Sequence, residues 1–192
     1  SSSAASDVYK RQAINCGIGF SITNDTELYN YLDTMRTQPF ILAMQAEGRE
    51  WVTTFSEAAR NSFDYVFTDA MTFLDHKGRR THLWVNKEVI IDDEQAYMDM
   101  MLDRICSVLE EPVDMYVNSC FLPDAMSDRY DMFWTEERID RFVNALAKSG
   151  KALEINELYH IPNKAIIQKA KAAGVKFTFG SNNITPEVGT LD

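Results

Sequence analysis

The chain has 192 residues, long enough to bury one sizeable core and too short to require two. Apolar residues make up 45% of it and charged residues 25%, proportions that exclude a disordered or fibrous class. A formal net charge of -10 argues against a phosphate-backbone partner, whose recognition draws on clustered Lys and Arg, so nucleic acid is not expected.

No apolar run approaches the roughly 18–20 residues of a membrane span, and the N-terminus lacks the apolar core of a secretory signal. A soluble protein without a membrane partner is therefore expected. Cys16, Cys106 and Cys120 are odd in number, widely spaced and set among apolar residues, which reads as core thiols rather than a disulfide framework or a Cys-type zinc site.

In chain order, residues 1–12 are Ser/Ala-rich at their start and aperiodic, and they read as a leader outside the fold. Ala13 to Ile22 reads as a strand with Asn15 and two glycines, which allow close backbone or ligand approach. Asn24 with Glu27 gives a capping-box signal, and Leu28, Tyr31, Leu32 and Met35 follow at helical spacing. Phe40 to Ala46 is a near-continuous apolar strand that runs into Glu47, Gly48, Arg49, Glu50 and Trp51. A short helix around Ser56 to Asn61 precedes a strand at Tyr65 to Phe67, which leads to Asp69 and Met71. Thr72 to Trp84 reads as a hairpin or flap with Asp75 to Gly78 at its tip.

Asp92 or Asp93 caps the longest helix, running to about Glu110, with Tyr97, Met100, Met101, Ile105 and Val108 or Leu109 as its core face. Val113 to Val117 is the next strand and ends at Asn118. Ser119 to Trp134 reads as a long loop, the kind that carries function at a strand end. Thr135 caps a helix that Gly150 closes. Lys151 to Ile155 is a strand that delivers Glu154, Asn156 and Glu157. Pro162 fits the first turn of a helix striped with Ala165, Ile166, Ile167 and Ala170 and stopped by Gly174. Val175 to Phe179 is the last strand and ends in Gly180, Ser181, Asn182 and Asn183.

Six strands with helical connections and polar strand tips give an α/β fold with function at the C-terminal strand ends. A closed eight-fold barrel takes about 250 residues, so the expectation is an incomplete (β/α) barrel in a single domain over 13–192, with native chain missing at one or both ends.

Four stretches carry a family resemblance: AMQAEGREW (Ala43 to Trp51), DYVFTDAM (Asp64 to Met71), LEIN (Leu153 to Asn156) and AKAAGVKFTFGSNN (Ala170 to Asn183). Together they resemble the PHP family, named for polymerase and histidinol phosphatase, a seven-stranded β/α barrel. The likeness covers most of the chain from residue 13 and is nearest to a bacterial branch with VFTDAMTF, YVNSCFLP and FTFGSNN-type motifs. The resemblance implies two or three divalent metals held by His, Asp and Glu at the strand tips, with a metal-activated water that hydrolyses phosphoesters. Glu47 falls on the family's metal-bridging Glu. Met71 and Asn118 stand where the family has His, and Gly180-Ser181-Asn182-Asn183-Ile184 replaces its Gly-Ser-Asp-x-His. The family's opening His-x-His is expected in chain that precedes Ala13.

Neutral Asn and soft Met are poor ligands for clustered cations, so the implied centre is reduced to a single divalent ion (Mg, Mn or Zn) on Glu47, Asp69 and Asn182. The first reading is thus a PHP-like metal-dependent hydrolase of phosphoesterase type. Its catalytic candidates are Glu47, Asp69 and Glu154, and Arg49, Asn118, Asn156, Asn183 and His160 contact a small, anionic substrate. The competing account of Glu47 and Glu154 is a pair of strand-end carboxylates salt-bridged to Arg49 or a lysine. Two alternatives stay open: a non-catalytic barrel that has lost its metal centre, and a carbohydrate-active barrel using Glu157 and Glu47, with Trp51, Tyr130, Trp134 and Tyr159 as stacking faces.

Overall fold

The structure is a computed structural model that describes residues 11–180. The described residues divide into two compact units, with the boundary between Val66 and Phe67.

In the first unit, β1 (Arg11–Cys16) and β2 (Ile41–Ala46) are parallel neighbours in register from Arg11 opposite Ile41 to Cys16 opposite Ala46. β1 starts at Arg11, inside the segment read as a leader. It also stops well before Ile22. Gly17 donates its N–H to Ile22 O (2.9 Å), and Gly19, at φ +85°, turns the chain between them. Between the strands, α1 (Asp25–Met35) buries Leu28 and Leu32. Its N-cap Asn24 accepts from Glu27 N (3.0 Å), while the Glu27 carboxylate reaches back to Thr23 N (2.7 Å), one residue earlier than a reciprocal capping box. Two short helices follow, α2 (Trp51–Thr54) and α3 (Glu57–Arg60). α2 is an addition to the sequence reading, and it exists because Trp51 is drawn fully inside, with the Arg60 guanidinium 5.6 Å from its ring centre.

β3 (Tyr65–Thr68) crosses the division and pairs in parallel with β6 (Met115–Tyr116) through Phe67 and Thr68. Between them lie the antiparallel hairpin β4 (Thr72–Leu74) and β5 (Arg80–His82) and the long helix α4 (Glu94–Val108). The hairpin tip is set by Asp75, whose carboxylate accepts from Lys77 N (2.8 Å) and Arg79 N (2.9 Å). Asp93 caps α4, and the buried face is Met98, Met101, Leu102, Ile105 and Val108. Met101, Ile105 and Val108 lie on that face as expected, while Tyr97 and Met100 are half-buried at its edge and pack against the core.

The segment Ser119 to Trp134 is not an open loop. It folds into α5 (Asp124–Ser127) and α6 (Tyr130–Phe133) and buries Leu122, Met126, Phe133 and Trp134. Burial of these apolar side chains is what draws it into the core. After it come α7 (Glu136–Ser149), β7 (Ala152–Asn156), α8 (Lys164–Ala172) and β8 (Phe177–Gly180). β7 is parallel to β6 and β8, with Asn156 opposite Gly180. Asn163 caps α8 by accepting from Ile166 N (3.0 Å), so Pro162 lies just before the cap rather than in the first turn.

The core of the second unit joins α4, β6, α6, α7, β7 and α8, with Tyr116 and Trp134 both edge-on to Phe142 at 6.0 and 5.8 Å. Each such side chain contributes about 1.5–3 kcal/mol on burial. The fold is α/β with parallel strands. Among the described residues, no helix is long and apolar enough to cross a membrane.

Candidate functional site

In the second unit the polar groups gather at the C-terminal ends of the parallel strands. Asp69 follows β3, Asn118 lies two residues past β6, and Glu154 and Asn156 end β7. Parallel neighbours in register bring these tips side by side. Asp69 (3% exposed), Glu154 (9%) and Asn156 (0%) are buried, a state that polar groups tolerate only when hydrogen-bonded.

Asn118 joins them. Its side-chain amide donates to Asp69 Oδ2 (2.9 Å), and its backbone N–H donates to Glu154 Oε2 (2.8 Å). Its own Oδ1 accepts from Asn156 Nδ2 (3.1 Å), which also stands 3.4 Å from Glu154 Oε2. The second Asp69 oxygen accepts from Met71 N (2.9 Å). Backbone and side chain of Asn118 can serve two different acids because its φ is +46°, a left-handed conformation that Asn adopts more readily than most residues.

Burial raises the Glu154 carboxyl above its ordinary range, and the nearby Asp69 adds to the rise, while the Asn118 N–H and the Asn156 amide oppose it. Among the described residues Glu154 has amide partners and no ion pair, which overturns the salt-bridged account for this residue. Its other oxygen lies against the backbone of Gly180. A Cβ added there would come within 2.0 Å of Glu154 Oε1. By sequence Gly180 is part of a strand-end motif; in the fold it is the residue that makes room for the acid.

The first unit has a similar arrangement around Glu47, which is 2% exposed and follows β2. Asn15 and Gln45 both donate to Glu47 Oε1 at 2.9 Å. Gly17 lets the strands close here, since a Cβ on it would meet Glu47 O at 2.3 Å. Burial, and then the charge of Glu47, push the Cys16 thiol up to about 12, so this sulfur is an inert core group. Asn15 and Gln45 escaped sequence reasoning as partners of Glu47. The parallel register, which sets Asn15 opposite Gln45, is the signal that would have found them.

The remaining candidates are dispersed. Arg49 is half-buried in the first unit, with its N–H on the Glu50 carboxylate (2.9 Å). His160 is exposed at φ +51°, and Glu157 is half-buried, with its N–H on Gly180 O (2.8 Å). Asn182 and Asn183 lie outside the described residues. Trp51 and Trp134 are 0% and 2% exposed, which corrects their reading as stacking faces, because neither offers a ring to a ligand. Tyr130 and Tyr159 do line a cavity, of about 670 Å³.

The donors do not suit the metal cluster that the resemblance implies. Asp69 presents both oxygens and Glu154 one oxygen to amide donors, Asn118 turns its nitrogen toward Asp69, and no His takes part in this hydrogen-bonded set. Among the described residues, no three His, Cys, Asp or Glu side chains form a group able to hold a metal ion. No family model, curated protein or solved structure matches the chain.

Proposed function

We propose that this chain is a hydrolase whose proton-transfer pair is Glu154 and Asp69, set at the strand tips of a barrel of the PHP-like plan. The observation that carries this reading is the single asparagine that spans both acids, Asn118, with 2.9 Å to one carboxylate and 2.8 Å to the other. One side chain and two hydrogen bonds limit the gap between the acids to within about 10 Å, the range used by two-carboxylate hydrolases.

The environments divide the roles. Glu154, its carboxyl raised by burial, is the proton donor. Asp69, with an N–H donor on each oxygen, is the proton acceptor. In the reaction Glu154 gives its proton to the leaving-group oxygen as the bond to carbon breaks. Asp69 takes a proton from the water whose oxygen forms the new bond to that carbon. One water is thereby divided across the cleaved bond, and the pair is reset by proton exchange with solvent.

An anionic substrate suits this pair poorly. A phosphate about 4 Å from a carboxylate costs about 4 kcal/mol at an effective dielectric constant of 20. A metal-dependent phosphoesterase is the second reading, favoured by the burial of Glu47 at the position where the resemblance implies a bridging acid.

The test is turnover of nitrophenyl glycosides and nitrophenyl phosphate by the full chain, with and without chelator. The expected result is chelator-resistant glycoside turnover, reduced about 10²–10⁴-fold in both Glu154→Gln and Asp69→Asn and lost as pH rises through the raised Glu154 titration. Phosphate turnover abolished by chelator would favour the second reading. Absence of any turnover would leave a non-catalytic barrel.

A further inference from the structure

In the second unit, a cavity of about 670 Å³ opens between the segments that follow β6 and β7, within the size range of small-molecule sites. Its walls are tied by hydrogen bonds to Asn118 and Asn156, the two amides that contact the acids. Phe121 donates its N–H to Asn118 O (3.2 Å), Tyr159 donates its N–H to Asn156 Oδ1 (3.1 Å), and Ile161 exchanges backbone hydrogen bonds with Asn156 (2.7 and 3.2 Å).

The lining has two characters. Trp84, Leu158 and Tyr159 are 46%, 56% and 42% exposed, a concentration of apolar surface that a folded chain has no internal reason to leave in water. These rings are held in place. His82 backs Trp84 at 5.0 Å and is anchored by donating from Nδ1 to Glu88 (2.7 Å), and Phe121 meets Tyr159 edge to face at 5.3 Å. Around them stand acceptors on exposed ground. Asp124 receives Asn86 (2.8 Å) and Asp131 receives Asn163 (2.7 Å), each through one oxygen. Among the described residues, the lining contains no Lys or Arg.

We propose that this cavity is the binding subsite for an uncharged saccharide, whose ring stacks on Trp84 or Tyr159 while its hydroxyls donate to Asp124 and Asp131. Rigid aromatic faces cover the apolar C–H side of a sugar ring, and carboxylates accept paired hydroxyls. An anion meets two acids and, among the described residues, no Lys or Arg. A small ammonium group is served by rings that converge on one point, and here Phe121 turns its edge to Tyr159. The inference rests on the acid-pair reading, because the same two strand tips that hold Glu154 hold the cavity wall.

The test is calorimetric titration of Glu154→Gln with cellobiose, maltose and chitobiose, and with glucose 6-phosphate and benzyltrimethylammonium as charged counterparts. Glu154→Gln removes the proton donor and leaves the cavity wall, so binding is measured apart from turnover. The expected result is that a neutral disaccharide binds, that Trp84→Ala or Tyr159→Ala in the same background weakens it about threefold to tenfold, and that Tyr159→Phe does not. Saturation-transfer NMR should place the ring C–H protons of the sugar on aromatic side chains. Binding of the ammonium or phosphate compound alone would overturn the proposal, as would no saccharide binding, or binding that both alanine variants leave intact. Saccharide binding with no glycoside turnover in the parent would uphold the subsite and remove the acid-pair hydrolase.

Discussion

Glu154 concentrates the tension in this protein, because an acid is kept in a site that burial makes hostile to its charge. Its carboxyl titrates higher in the folded chain than in the unfolded one, so the stability linked to it is fully present below the unfolded value and lost as pH rises through the folded one. The parent should therefore lose thermal stability relative to Glu154→Gln as pH rises through that range, and the two should converge at low pH. Melting temperatures across pH measure this, and parallel curves would refute it. Gly180 gives a second measure of the same site. An alanine there forces Glu154 Oε1 from a position 2.0 Å from the new Cβ, so Gly180→Ala should cost about 1–3 kcal/mol in chemical denaturation. In a double-mutant cycle with Glu154→Ala, which removes the obstacle, much of that cost should disappear, leaving a coupling of about 0.5–3 kcal/mol.

At the scale of elements, the instructive segment is Ser119 to Trp134. Its Pro, Asp and aromatic residues read as a functional loop, yet α5 and α6 within it bury Leu122, Met126, Phe133 and Trp134. Met126→Ala should accordingly cost about 2–5 kcal/mol, as at a core position, where a true surface loop would give under about 0.5 kcal/mol. Urea unfolding midpoints distinguish the two. With Leu122 and Met126 buried, Phe121 turns to Tyr159 at the cavity, so packing in this segment sets the cavity wall. Helix ends, by contrast, were legible from local rules: Asn24, Asp93 and Thr135 all cap where their side chains can accept an N–H three residues on, and Gly150 and Gly174 close helices at φ +72° and +80°.

At the scale of the whole molecule, the sequence by itself determined the α/β class, the order of the six parallel strands with their longer helices, and the polar residues at strand tips. These follow from periodicity, caps and breakers acting over a few residues, which is why their boundaries shifted by only a few positions except where a glycine intervened. It did not determine which polar residues act together. Asp69, Asn118, Glu154 and Asn156 are separated by up to 87 positions (156 − 69), and only parallel register and the left-handed turn at Asn118 bring them into one hydrogen-bonded set. Nor did it distinguish rings that stay at the surface from rings that fill the core: Trp51 and Trp134 went inside while Trp84 and Tyr159 stayed out. Residue type sets what a side chain is able to do. The direction it faces is a product of packing between distant segments, and in this chain the tertiary structure alone decided that.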